Sequence, residues 1–190
     1  MRWERAILVT FGGSAGEFEE LSKAAGLEAK RSFVCLLREP NARYFLGSGK
    51  VEEIGLSVKE EEAETVVFDT DLSATQQRNL EEALGVKTID RTQLILDIFA
   101  LRARSLEGRL QVELAQLKYL LPRLGGEGIY LSRLGGGVGT RGPGEQKLEV
   151  DRRHLRDRVT KLGAELKRIQ SRRHSAIKKK KDKDLPLISL

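Results

Sequence analysis

Three observations predict an α/β chain: a small, mainly parallel four-stranded sheet with flanking helices, followed by a long antiparallel two-helix coiled-coil hairpin. Short β-branched runs alternate with amphipathic stretches over the first hundred residues, as βα units do. Two narrow apolar seams at heptad spacing then flank a glycine-rich stretch. Charge divides at the same place. Residues 1–104 carry 14 Lys+Arg against 18 Asp+Glu, and residues 105–190 carry 20 against 10, so the halves are net −4 and +10. The expected organisation is an α/β unit over 1–104, a helical hairpin over 105–172 with its tip at about 123–147, and a basic linker over 173–190.

The elements follow in order. Arg5 to Phe11 is a short apolar run and reads as a strand, ended by Gly12 and Gly13. Glu17 to Ala25 places Phe18, Leu21 and Ala25 on one helical face. Leu27 to Leu37 reads as a second strand with Phe33 to Leu37 as its buried part, and Pro40-Asn41 breaks it. Ser48 or a neighbour is expected to cap a helix through Val51, Ile54 and Val58, followed by a solvated acidic turn, Glu60 to Glu64. Thr65 to Phe68 is a third strand. Ser73 or Asp71 caps a helix to Leu84, which Gly85 stops. Val86 to Ile89 is a fourth strand, and Asp90 caps a helix to about Arg104 with Leu94, Ile95, Ile98, Phe99 and Leu101 as its stripe.

Leu106, Leu110, Leu114, Leu117 and Leu121 then step by four, four, three and four residues. Leu148, Leu155, Val159, Leu162, Leu166 and Ile169 make a matching seam, with Arg152 at one core position. Joined by a loop, two such helices most simply form an antiparallel hairpin, with the loop held about 24 Å from the rest of the chain at 1.5 Å per residue. Nine glycines fall between Gly125 and Gly144, with Pro143 among them. Glycines pack nothing and cost backbone entropy, so a core does not explain them. Arg123, Arg133, Arg141 and Lys147 punctuate the stretch and Tyr130 adds an aromatic ring. Exposed backbone N–H groups and guanidinium forks suit phosphate oxygens and base edges, and a solvated connector is the other reading.

Several function classes are excluded or weakened. One cysteine, Cys35, forbids a disulfide framework and a Cys-based zinc site, and it reads as a small buried residue. His154 and His174 have no ligand spacing, so no metal site is expected, and no catalytic constellation stands out. No apolar run approaches the roughly twenty residues that span a bilayer, and no signal-peptide pattern is present. The chain therefore reads as cytoplasmic, and as a monomer. Gly47-Ser48-Gly49-Lys50 invites comparison with a P-loop but lacks the first glycine, and Val51 stands where a Ser or Thr would bind magnesium. Parallel sheets hold ligands at the C-terminal ends of their strands, here near Gly12, Asp69 and Asp90. A nucleotide site there is a second hypothesis, with Gly12, Gly13 and Asp69 as weak candidates; caps and turns account for the same residues. Arg172 to Lys183 holds a basic run read as a disordered or frayed linker, and Leu185 to Leu190 resembles the first half of a buried strand, as in part of a longer protein.

These residues carry a close resemblance. Gly135 to Glu145, then Leu148 to Arg153, resemble the glycine-rich segment and second long helix of the HflX family of translation-factor-related GTPases. Asp90 to Ala100, Gln111 to Tyr119 and Leu121 to Leu124 are similar to that family's first long helix and its lead-in. Phe68 to Leu80 and Tyr44 to Lys50 match its N-terminal α/β subdomain. The resemblance spans about residues 5 to 190. It implies the N-terminal region of a GTPase that docks on the large ribosomal subunit and splits stalled or stressed ribosomes. GTP and magnesium would belong to a GTPase domain that lies beyond these residues, because no P-loop occurs in them; no cofactor and no GTPase activity are expected of this stretch alone. The resemblance also implies contact of the tip with rRNA, through Arg123, Arg133, Arg141 and Lys147, with Tyr130 stacking on a base and Gly135, Gly136, Gly137, Gly139, Gly142 and Gly144 allowing close approach. Arg152 and Arg153 either join this surface or pair with Glu145 or Glu149. Two other readings stay open: an ATP-binding α/β unit that regulates the adjoining GTPase, and a coiled-coil interaction module with an inert tip.

Overall fold

The computed structural model describes residues 3–12, 15–36, 39–125 and 143–181, with the side chains at 125, 143–148, 176 and 179–181 left aside. In chain order the elements are β1 (Glu4–Thr10), α1 (Ala15–Ala24), β2 (Leu27–Val34), α2 (Ser48–Glu60), β3 (Thr65–Phe68), α3 (Ala74–Leu84), β4 (Lys87–Ile89), α4 (Arg91–Arg102) and α5 (Leu106–Leu120). A 3-10 turn, Arg123–Gly125, follows, and α6 is Pro143–Lys181. The four strands form one sheet in the order β2-β1-β3-β4, and every pairing is parallel.

Both faces of the sheet are covered, which is why its central strands read as continuous apolar runs. Ile7, Val9, Val66 and Phe68 meet Val51, Ile54 and Val58 of α2 and Leu80 and Leu84 of α3 on one face. Ala6, Leu8, Val67 and Ile89 meet Phe18 of α1 and Leu94 and Ile98 of α4 on the other. Local chemistry fixes the helix ends. The Ser73 hydroxyl accepts from the Gln76 N–H while the Gln76 side chain accepts from the Ser73 N–H, closing a capping box. Gly85 ends α3 at φ 71°, a left-handed conformation that favours glycine. Asp90 caps α4 through the Gln93 N–H, and Ser105 caps α5 through the Gly108 N–H.

Some expectations are corrected. Strand β2 lies at the edge of the sheet, so only one side of its end is covered. Cys35 is buried, but Val34 is exposed and Leu36 is 94% exposed. The N-cap of α2 is Gly47, the neighbour of Ser48, but no side chain caps the helix. Phe99 and Leu101 are exposed, because α4 buries only the line through Leu94 and Ile98. The helix α6 runs through 172–181, where composition suggests a linker. Lys, Arg and Ala are good helix formers, and cations near a helix C-terminus complement its dipole.

The helices α5 and α6 pack through Leu110, Leu162 and Leu166, with Leu114, Leu117 and Ile169 around them. Glu107 pairs with Arg173 at 2.6 Å, and Glu113 with Arg158 at 2.6 Å. The expectation that α5 carries its far end away from the sheet is not met. Instead α5 lies along α4, where the Gln116 amide donates to Asp97 at 3.4 Å, and its C-terminal end returns to the edge of the sheet. Among the described residues no helix is long and apolar enough to cross a membrane.

Candidate functional site

The glycine-rich stretch departs from a buried polar knot. Arg123 lies just past α5, with Leu124 between it and the first glycine, and its side chain is 19% exposed. The Nη2 group donates to the Leu72 carbonyl at 2.8 Å and to Asp90 Oδ2 at 3.0 Å. From Nε it donates to Gln77 Oε1 at 2.9 Å, and from Nη1 to the Tyr119 carbonyl at 3.1 Å. The guanidinium also stacks on the Tyr119 ring, 3.4 Å from its centroid. Planarity and a fork of donors make arginine suited to such a site, and the point charge of a lysine could not span these contacts together.

The acid in this knot is fully buried. Asp90 gives one oxygen to the Gln93 N–H, capping α4, and the other to Arg123 and the Leu72 N–H. Four elements therefore meet at one charge pair: the segment after β3, α3, the start of α4 and the end of α5. Burial, and then the Asp90 carboxylate, push the Tyr119 phenol well above its ordinary pKa, so it stays protonated and can donate toward Gln77 at 3.4 Å.

The neighbouring strand ends are also engaged. Gly12 follows β1 with φ 71°, and Asp69 follows β3. The Asp69 carboxylate pairs with Arg91, which also lies 3.6 Å from Glu17. The structure thus brings Gly12, Asp69 and Asp90 to one rim, as the sequence predicts, but both carboxylates are held by arginines. Gly13 lies outside the described residues. No group of His, Cys, Asp and Glu that could hold a metal occurs among the described residues.

Most of the predicted tip falls elsewhere. Tyr130, Arg133 and Arg141 lie outside the described residues, as do Gly135, Gly136, Gly137, Gly139 and Gly142. Gly144 and Lys147 fall in the first turns of α6, and the Lys147 side chain is not described. Arg123 is corrected from a tip contact to a largely buried anchor, since Nε, Nη1 and Nη2 donate to Gln77, Tyr119, Leu72 and Asp90. Arg152 is half-buried on the seam and Arg153 is exposed; among the described residues no ion pair joins either to Glu149, and the Glu145 side chain is not described. Sequence reasoning misses Gln77 and Tyr119, and finds Asp90 as a helix cap and a strand-end position but not as the partner of Arg123. The available signal is an arginine in the short Leu-Pro-Arg-Leu segment between a helix and the glycines.

Comparisons with known proteins bear on this arrangement. Residues 13–100 match a family model described as the GTP-binding GTPase N-terminal region, and residues 102–180 one described as the GTP-binding GTPase middle region. A protein named GTPase HflX from Caldanaerobacter subterraneus subsp. tengcongensis is 48% identical over 193 residues, covering 98% of this chain and 45% of that protein. Its counterpart from Escherichia coli is 47% identical over 174 residues, covering 92% of this chain and 41% of that protein. Among solved structures, a GTP-binding protein from the archaeon Sulfolobus solfataricus in complex with GDP has a TM-score of 0.63 at 26% identity, over 88% of this chain and 46% of that one. The chain spans less than half the length of these relatives.

Proposed function

Because this chain belongs to the HflX family, we propose that it is the ribosome-docking region of a GTPase, with the glycine-rich stretch contacting rRNA of the large subunit. GTP hydrolysis, GTP and magnesium are assigned to the part of the full-length protein that the relatives have beyond this chain, and splitting of stalled ribosomes to the whole. The observation that carries the reading is the Arg123 knot, which fixes the start of the glycine-rich stretch against the sheet. A solvated connector needs no such anchor. The order of the contacts, Glu107 with Arg173 and Glu113 with Arg158, supports an antiparallel α5–α6 hairpin, and the charge asymmetry supports the division near residue 104. The proposed setting is the cytoplasm.

Co-sedimentation with purified large ribosomal subunits across a salt series tests this. Binding by the wild-type chain should weaken in Arg133→Ala/Arg141→Ala, with a shallower salt dependence, because fewer phosphate contacts release fewer counterions. Equal binding by both would remove the tip from the interface.

A further inference from the structure

Beside the polar knot a pocket of about 210 Å³ opens between α4 and α5. Sites for drug-sized ligands run from roughly 300 Å³ upward, so this one suits a smaller molecule. Leu96, Leu117 and Leu120 give it an apolar wall, and Asp97, Glu113 and Gln116 give it acceptors. The two acids differ. Glu113 is already paired with Arg158. Asp97 is half-buried, and among the described residues no cation forms an ion pair with it. Its one hydrogen bond among them comes from the Gln116 amide, at 3.4 Å. A carboxylate drawn partly out of water costs free energy unless a cation or several donors replace that water, and one long bond from an amide does not. Burial accordingly raises its pKa, with Lys87 opposing.

We propose that the pocket between α4 and α5 is a binding site for a small free aliphatic amine, with its ammonium on Asp97 and its alkyl chain against Leu96, Leu117 and Leu120. A primary ammonium supplies what Asp97 lacks, a positive charge and three donors, and the Gln116 carbonyl can accept one of them. The methylenes suit the leucines, as the stem of a lysine suits an apolar surface. Other ligands fit less well. Phosphates and nucleotides meet acids rather than cations here. A metal ion needs more oxygen ligands, and no group that could hold one occurs among the described residues. An inorganic cation gains nothing from the leucines. A pocket this small admits a free amine whole, whereas a lysine of another protein would bring two peptide units to its mouth. The bound amine touches both helices and so tightens the seat of α5 on α4. This site does not depend on ribosome docking.

The test is titration of the 190-residue chain with n-pentylamine at constant ionic strength, followed by the NMR shifts of backbone amides in α4 and α5. Shifts that saturate and centre on these two helices are expected. Along the series ethylamine, propylamine, butylamine and pentylamine, affinity should rise about fourfold per methylene, the gain from burying one CH₂. The series is read on the wild-type chain, so it does not depend on any variant folding. Asp97→Asn keeps an acceptor for Gln116 and should weaken pentylamine binding by about tenfold or more, as loss of a charge-assisted hydrogen bond does. Glu82→Gln, at an exposed position on α3, removes the same charge and should leave binding unchanged. A flat series, or ammonium chloride binding as well as pentylamine, overturns the proposal. So does undiminished binding by Asp97→Asn, or an equal loss in Glu82→Gln. Tighter binding of Nα-acetyl-lysine amide than of pentylamine overturns the free amine as the ligand.

Discussion

The sheet unit and the helix pair are held together in different ways. The sheet is buried on both faces, by Ile7, Val9, Val66 and Phe68 on one side and Ala6, Leu8, Val67 and Ile89 on the other. The helix pair buries only Leu110, Leu162 and Leu166 among its described residues, and adds two surface ion pairs. The first is acidic overall and the second basic. The difference separates the tasks: the sheet supplies stability, and the helices supply charged surface at little cost to packing. The Asp90–Arg123 pair joins the two, beside the packing of α5 along α4.

That joint gives the largest expected effect. Asp90→Ala removes the buried partner of Arg123 and the cap of α4 together, and should cost about 3–5 kcal/mol in urea unfolding. Arg123→Lys should recover only part of the loss caused by Arg123→Ala, because an ammonium cannot reach Leu72, Gln77 and Tyr119 at once. A loss below about 1 kcal/mol for Asp90→Ala would mean that the two regions are not coupled there.

The next contrast compares one leucine in each region. Leu80→Ala, in the sheet core, should cost about 2–5 kcal/mol and lower protection from hydrogen exchange throughout the sheet. Leu162→Ala should cost toward the lower end of that range, since water can reach so small a cluster once it is opened. Its exchange effect should be confined to α5 and α6; loss of protection in β1 and β3 would show that the pair is part of the same cooperative unit.

The elements legible in the sequence are those set by local chemistry. Ser73, Gly85 and Asp90 mark helix ends by side chain or backbone need, and the heptad leucines mark the seam. Strand order is not legible, because four apolar runs do not say which is an edge; that is why the run through Val34 and Leu36 reads as core and is not. The Arg123 knot is not legible either. Its partners Leu72, Gln77, Asp90 and Tyr119 are scattered along the chain, and only the packing of α5 along α4 brings them together.

A smaller effect belongs to the surface of the helix pair. Arg158→Ala removes an exposed pair with Glu113 and should cost less than about 1 kcal/mol, shrinking further in high salt. A larger cost in thermal unfolding would make this pair part of what holds the helices, and would narrow the contrast with the sheet.

The smallest effect is a pH dependence where α4 meets α5. Burial raises the pKa of Asp97, against the opposing pull of Lys87 and the Gln116 amide. Its folded pKa therefore lies above its unfolded one, so the folded chain holds the proton more tightly. This favourable contribution is fully present below the unfolded pKa and is lost as pH rises through the folded pKa. Asp97→Asn keeps an acceptor for Gln116 and cannot ionise. It should be slightly more stable than the wild type at neutral pH, and its stability should change less as pH rises from the carboxylate range. A variant with the wild-type pH profile would show that Asp97 is solvated in both states, and that the α4–α5 contact is looser than the sheet it rests on.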